Sequence, residues 1–207
     1  TAQALKRRPE RVARVKPKPP AATRVYRPAL VTFLDILGFR GRVTASQDAT
    51  AIRRILARLR DFSDVGDPDE IHSAESGYEV TRAIAFSDSV VRVRFYDTDY
   101  PSGALFHEIL SLLQVQAEMM ADDVLVRGGV TVGPVYLEGD MAFGPAFNRA
   151  YDLESQFASV PRIVVGPEAF AALRTDPGLV AVDHTPEEDI AYIRRLLKRG
   201  EDGFWFI

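Results

Sequence analysis

Apolar residues in this chain come in short blocks of strand length, and stripes at helical spacing separate the blocks. Leu30–Asp35 is an apolar run that ends on a carboxylate, and Gly38 then turns the chain. Ile52, Ile55, Leu56 and Leu59 recur at helical spacing and predict a helix near 49–62. Beyond a Gly/Asp/Pro/Ser-rich loop at 64–77, residues 83–95 form two β-rich arms around Ser87, Asp88 and Ser89. A tight hairpin with an acid at its tip is expected there. Leu105, Ile109, Leu112, Leu113 and Met120 predict a core-facing helix. Residues 124–133 read as a strand running into a turn at Gly133, with 135–137 returning. A helix opened by Gly144-Pro145 follows over 144–157, then a strand at 161–165, a short helix at 167–173 and a last strand at 204–207. This order predicts an α+β fold, a helix-flanked, mostly antiparallel sheet of the ferredoxin-like kind.

Composition narrows the setting. The 207 residues are 46% hydrophobic, enough for one well-buried core. The absence of cysteine excludes disulfides, a thiol nucleophile and a cysteine zinc site, and His72, His107 and His184 stand singly, which argues against a histidine metal cluster or a serine triad. With no apolar run near the roughly 18 residues of a membrane span and no evident signal peptide, a soluble, cytoplasmic protein is expected. Residues 1–28 hold nine Lys and Arg against the single acid Glu10. Their +8 contrasts with −11 for the remainder and −3 for the whole. With four prolines and few large apolar residues up to Arg24, this segment is expected to be a solvated basic tail, and 29–207 one domain. Stable nucleic-acid or membrane binding is not expected. Asp35 and Asp88, two carboxylates at strand ends that can meet, suit a pair of divalent cations handling a nucleoside triphosphate.

Three segments carry a resemblance. Asp35-Ile36-Leu37-Gly38-Phe39 resembles the Asp-Ile-x-Gly-Phe signature of class III adenylate/guanylate cyclases, and Arg127-Gly-Gly-Val-Thr-Val-Gly133-Pro134-Val resembles their Gly-Ile-x-x-Gly-Pro-Val strand and turn. Residues 144–154, with Asn148, Ala150, Leu153 and Glu154, are similar to their Asn-bearing helix. The resemblance spans about 30 to 170 and implies a nucleotide cyclase domain. It further implies two Mg²⁺ or Mn²⁺ ions held by Asp35, Asp88 and the Ile36 carbonyl. Asp35, Asp88, Asn148 and Arg149 become the catalytic candidates, and Phe39, Arg127, Met141, Arg162 and Lys198 the substrate-binding ones. A head-to-tail homodimer is implied too, with metal acids from one subunit and the Asn148 helix from the other.

Departures from the family pattern sharpen the expectation. The positions that read a purine edge hold Ile84 and Met141, apolar residues that leave a purine's polar edge unpaired, at a cost of about 1–3 kcal/mol. Together with Phe86-Ser-Asp-Ser89 and Ala150-Tyr-Asp-Leu-Glu154, this resembles the pyrimidine cyclases of bacterial Pycsar anti-phage systems. That resemblance implies UTP or CTP as substrate, cyclic UMP or cyclic CMP as product, and a separate effector protein that senses it. Asp152 stands where the family carries a transition-state arginine, so Arg149, Arg127 or Arg162 must replace it, and Lys198 resembles the family's phosphate-binding lysine. Two alternatives stay open: a catalytically silent cyclase-like nucleotide-binding or dimerisation module, and an adenylate cyclase with an altered base pocket.

Overall fold

The structure, a computed structural model, describes residues 26–46, 48–64, 81–97, 103–138 and 141–207. Most of the basic segment and the 64–77 loop therefore lie outside the described residues, as does His72. The elements, in chain order, are β1 Arg27–Ile36, α1 Phe39–Ala45, α2 Ala49–Asp64, β2 Thr81–Phe86, β3 Ser89–Phe95, α3 Ala104–Ala121, β4 Val126–Glu138, β5 Met141–Phe143, α4 Pro145–Asp152, β6 Ile163–Val165, α5 Pro167–Thr175, α6 Pro186–Leu196, β7 Lys198–Arg199 and β8 Trp205–Phe206. A π-helical turn, Leu153–Phe157, prolongs α4.

These strands form one sheet in the order β2-β3-β1-β4-β6-β8-β7, with β5 folded back on the end of β4. Only β4 and β6 run parallel; the other pairs are antiparallel. The expected α+β architecture, a mostly antiparallel sheet flanked by helices, is present. Strand residues alternate between two faces. Leu30, Leu34, Ile36, Val126 and Val130 face a large core with α2, α3, α5 and α6. Ala29, Val31, Val91, Val93 and Val135 face a smaller one closed by Ala146 and Ala150 of α4.

Several expected elements need correction. Where a strand, a turn and a returning strand were expected over 124–137, Val126–Glu138 is one continuous strand, because Gly133 and Pro134 stay extended opposite Ala29 and Pro28 on β1. The returning strand is β5, which pairs Met141 with Glu138. Arg27 and Pro28, grouped by charge with the tail, belong to β1, where the Arg27 guanidinium pairs with Asp97 at 2.6 Å and lies 4.0 Å from the centre of the Phe95 ring. Helix α1 is too short to carry an apolar period, whereas α6 is missing from the expected elements although Ile190, Ile193 and Leu197 recur at helical spacing behind the Thr185–Glu188 capping box. On α3 the buried stripe runs through Leu105, Ile109, Leu112, Val115 and Met119. Met120 lies about 80° around the helix from Leu112 and is exposed.

Gly128 and Gly129 explain how tightly the layers close on β4. A Cβ at Gly128 would lie 2.5 Å from the Phe33 carbonyl oxygen, and one at Gly129 would lie 2.5 Å from Leu153 Cβ. Only glycine lets the end of α4 seat directly on the strand backbone.

Candidate functional site

Register builds the centre of the site. Asp35 lies opposite Ser89 on β3 and opposite Arg127 on β4, so the three side chains form a row across adjacent strands on the α4 face. Ser89 Oγ donates to Asp35 Oδ1 at 2.9 Å, and Arg127 Nε and Nη2 each lie 3.3 Å from Asp35 Oδ2. The hairpin is as expected: β2 and β3 are joined by Ser87 and Asp88 alone, with Ser87 at a left-handed φ of +49°. The Ile36 N–H donates to the Asp88 carbonyl at 3.2 Å, which clamps the hairpin tip to the end of β1 and brings the two acids to one end of neighbouring strands. Gly38, at φ +75°, turns the chain out of this corner into α1.

Glu154, from the π-helical turn, reaches the same cluster. Its Oε1 is 2.7 Å from Arg127 Nε, a close ion pair whose alignment falls short of a hydrogen bond. Burial pushes the Glu154 carboxyl above its ordinary range, the Asp35 charge adds to this, and Arg127 opposes both. Neither Glu154 nor Ser89 was assigned a role from sequence. The signal for Ser89 was its place across from Asp35 once the hairpin is drawn; for Glu154 it was an acid at the end of an otherwise apolar helix face.

The other sequence candidates sit elsewhere in the subunit. Phe39 is buried in the larger core. Arg149 Nε donates to Glu168 Oε1 at 2.8 Å, an oxygen that also accepts from Thr131 Oγ1 at 2.7 Å. Arg162 pairs with Asp202 at 2.5 Å and donates to the Phe157 carbonyl. Met141 and Asn148 are exposed on β5 and α4, and Lys198 is exposed on the edge strand β7. Asp152 accepts from Gln156 Nε2 at 3.3 Å. Within one subunit the structure thus brings together Asp35, Ile36, Asp88 and Arg127, and does not bring Asn148, Arg149, Met141, Arg162 or Lys198 to them.

The donor set is made of oxygens, which suits hard divalent cations. Among the described residues no cluster of three or more His, Cys, Asp or Glu forms a complete cage. By their chemistry, two carboxylates and a carbonyl are donors of the kind that Mg²⁺ supplements with phosphate oxygens and water. The residues present therefore fit the implied cations.

No protein-family model matches the chain, and no curated protein does. Solved structures do. The adenylyl cyclase CyaB from P. aeruginosa superposes with a TM-score of 0.58 at 13% identity, over 88% of this chain and 94% of that one. The catalytic core of a rhodopsin-guanylyl cyclase with converted specificity, in complex with ATPalphaS, gives 0.53 at 14% identity, over 72% and 82%. The chain has the class III cyclase fold. At these identities the likeness is one of fold, and the chemistry has to be argued from this chain's own residues. Among the described residues no helix is long and apolar enough to cross a membrane.

Proposed function

We propose that the protein is a nucleotidyl cyclase that converts UTP or CTP into the 3′,5′-cyclic monophosphate and pyrophosphate. The observation that supports this reading is the backbone clamp from the Ile36 N–H to the Asp88 carbonyl, which joins the hairpin tip bearing Asp88 to the end of β1 bearing Asp35, on a cyclase-like fold. Asp35, Asp88 and the Ile36 carbonyl would hold two Mg²⁺ or Mn²⁺ ions. When bound, these supply a lowered pKa at the ribose 3′-hydroxyl and charge neutralisation at the triphosphate.

Ser89 orients the Asp35 carboxylate through Oδ1, and a cation at Oδ2 would have to take the place of the Arg127 guanidinium that pairs with it. Arg127, balanced between Asp35 and Glu154, stays close to the carboxylates as a positive charge for phosphate oxygens. In the reaction the 3′-oxygen bonds to the α-phosphorus, its proton passes to water, and the bond to the bridging oxygen of the β-phosphate breaks as pyrophosphate leaves. Arg127 is the nearest of the three candidate arginines to the acids in its own subunit. Arg149 reaches a site only across a dimer, and only by loosening its hold on Glu168.

The exposed Asn148, with Met141, Phe143 and Tyr151 exposed around it, supports a homodimer in which this segment completes the partner's site. Apolar Ile84 and Met141 at the base-reading positions support a pyrimidine over a purine. The product would be a second messenger of anti-phage defence, read by a separate effector, and the site of action cytoplasmic.

A second reading, a silent nucleotide-binding module, draws on the Arg127–Asp35 pair, which saturates one metal carboxylate with a guanidinium. One experiment separates them. The purified protein is incubated with Mn²⁺ and ATP, GTP, CTP or UTP, with Asp35→Ala and Asp88→Ala as controls. Cyclic UMP or cyclic CMP by mass spectrometry, reduced about a hundredfold or more in each control, is the expected result. Cyclic AMP as the main product makes the protein an adenylate cyclase with an altered base pocket, and no product from any nucleotide favours the silent module.

A further inference from the structure

On the face of the sheet away from Asp35, a concavity of about 470 Å³ opens between the last hairpin and helices α5 and α6. The pairing of Val165 with Trp205, and of Trp205 with Arg199, puts these side chains on the large-core face, whereas Lys198 and Phe206 point to the α4 side with Val164. The wall is formed by Phe170, Trp205 and the aliphatic Pro167 and Val165. Three arginines rim it. Arg194 lies 5.6 Å from the Phe170 ring centre and 5.2 Å from that of Trp205, and Arg199 lies 6.0 Å from Trp205. These contacts order both guanidiniums without neutralising them. Among the described residues neither Arg194 nor Arg199 has a carboxylate partner. Arg174 meets the exposed Glu187 at 3.5 Å. The one acid in the lining, Asp202, is already paired with Arg162.

A surface of this size with two unneutralised guanidiniums over an aromatic wall has a defined complement. We infer that the cavity between β8, α5 and α6 is a second binding site, for a mononucleotide-sized planar anion whose phosphate or carboxylate meets Arg194 and Arg199 and whose ring lies along Phe170 and Trp205. The volume falls in the roughly 300–1,000 Å³ range of small-molecule sites, and a guanidinium fork accepts two oxyanion oxygens at once. The inference stands apart from the cyclase reading, because no residue of the Asp35–Asp88 cluster takes part.

Trp205 is the sole tryptophan of the chain, so its fluorescence reports on this cavity alone. Uridine 5′-monophosphate, uridine and inorganic phosphate are titrated separately into the full chain in the presence of a chelator, which removes divalent cations from the acid cluster. Saturable quenching by the monophosphate is expected, at least tenfold weaker for uridine and for phosphate. It should be unchanged in Asp35→Asn and weakened about tenfold in Arg194→Gln and in Arg199→Gln. Both arginines are exposed, so neither substitution threatens the core. No saturable quenching into the millimolar range, equal binding of uridine or phosphate, or wild-type affinity in both arginine variants would overturn the assignment.

Discussion

Glu168 shows how one side chain ties together elements that the sequence keeps apart. Its carboxylate accepts from Arg149 on α4 and Thr131 on β4. Burial would raise its pKa, but these donors outweigh burial and hold it below the ordinary 4.5. A carboxyl whose folded pKa is depressed adds stability that is present above its unfolded pKa and is lost as pH falls through the folded value. Glu168→Gln should therefore lower stability at about pH 7 by about 1–3 kcal/mol, the worth of hydrogen bonds to a charged group. The gap to wild type should close as both are acidified to about pH 3. Thermal melts across that range check this, and a gap independent of pH would mean that the charge on Glu168 contributes nothing. At the same scale the sequence was half legible. Asp35 and Asp88 stand at strand ends and could be named; the partners of Arg127, Arg149 and Arg162 could not, because a guanidinium finds its carboxylate through register and helix placement.

Helix α3 and the paired strands β1 and β3 share a buried polar network that no periodicity announces. Arg92 Nη2 lies 2.6 Å from Glu108 Oε2, Thr32 Oγ1 donates to Glu108 Oε1 at 2.6 Å, and Arg94 Nη2 lies 3.9 Å from Oε2. All four residues are at most 3% exposed. Removing Glu108 would leave two arginines buried beside no carboxylate from α3. Glu108→Ala is expected to cost about 3–5 kcal/mol, seen as a lower urea midpoint with the slope retained. A loss below about 1 kcal/mol would show that water or another group takes over the pairing. Gly129 belongs to this scale as well. A Cβ there would collide with Leu153, so Gly129→Ala should cost about 1–3 kcal/mol as an overpacked contact, measured in the same unfolding experiment. Both substitutions lie outside the acid cluster and act through the layers that carry it.

For the whole molecule the decisive question is how one subunit's Asp35 and Asp88 meet Asn148. Within a subunit Asn148 lies exposed on α4 beside an exposed apolar set, and it belongs to no contact with the acids. If the functional unit is the proposed head-to-tail homodimer, Asp35→Ala and Asn148→Ala should each be inactive. Mixing the two should rebuild one intact site per heterodimer and recover about a quarter of wild-type activity. Activity of the mixture no greater than that of either variant, with dimers present by sedimentation, would remove the composite-site assignment.

The sequence by itself determined the elements with a strong local period: the apolar run of β1, the two-residue hairpin that carries Asp88, the buried stripe of α3, and the Gly-Pro start of α4. These depend on spacing and turn chemistry within a few residues, which a chain carries wherever it folds. Tertiary structure alone decided that residues 126–138 form a single strand, that Arg127 lies between Asp35 and Glu154, that Arg149 is held by Glu168, and that Arg194 and Arg199 share an aromatic wall with Trp205. Each of these joins residues distant in sequence, and register and packing choose such partners by burying matched charges and apolar faces together, which no local pattern records.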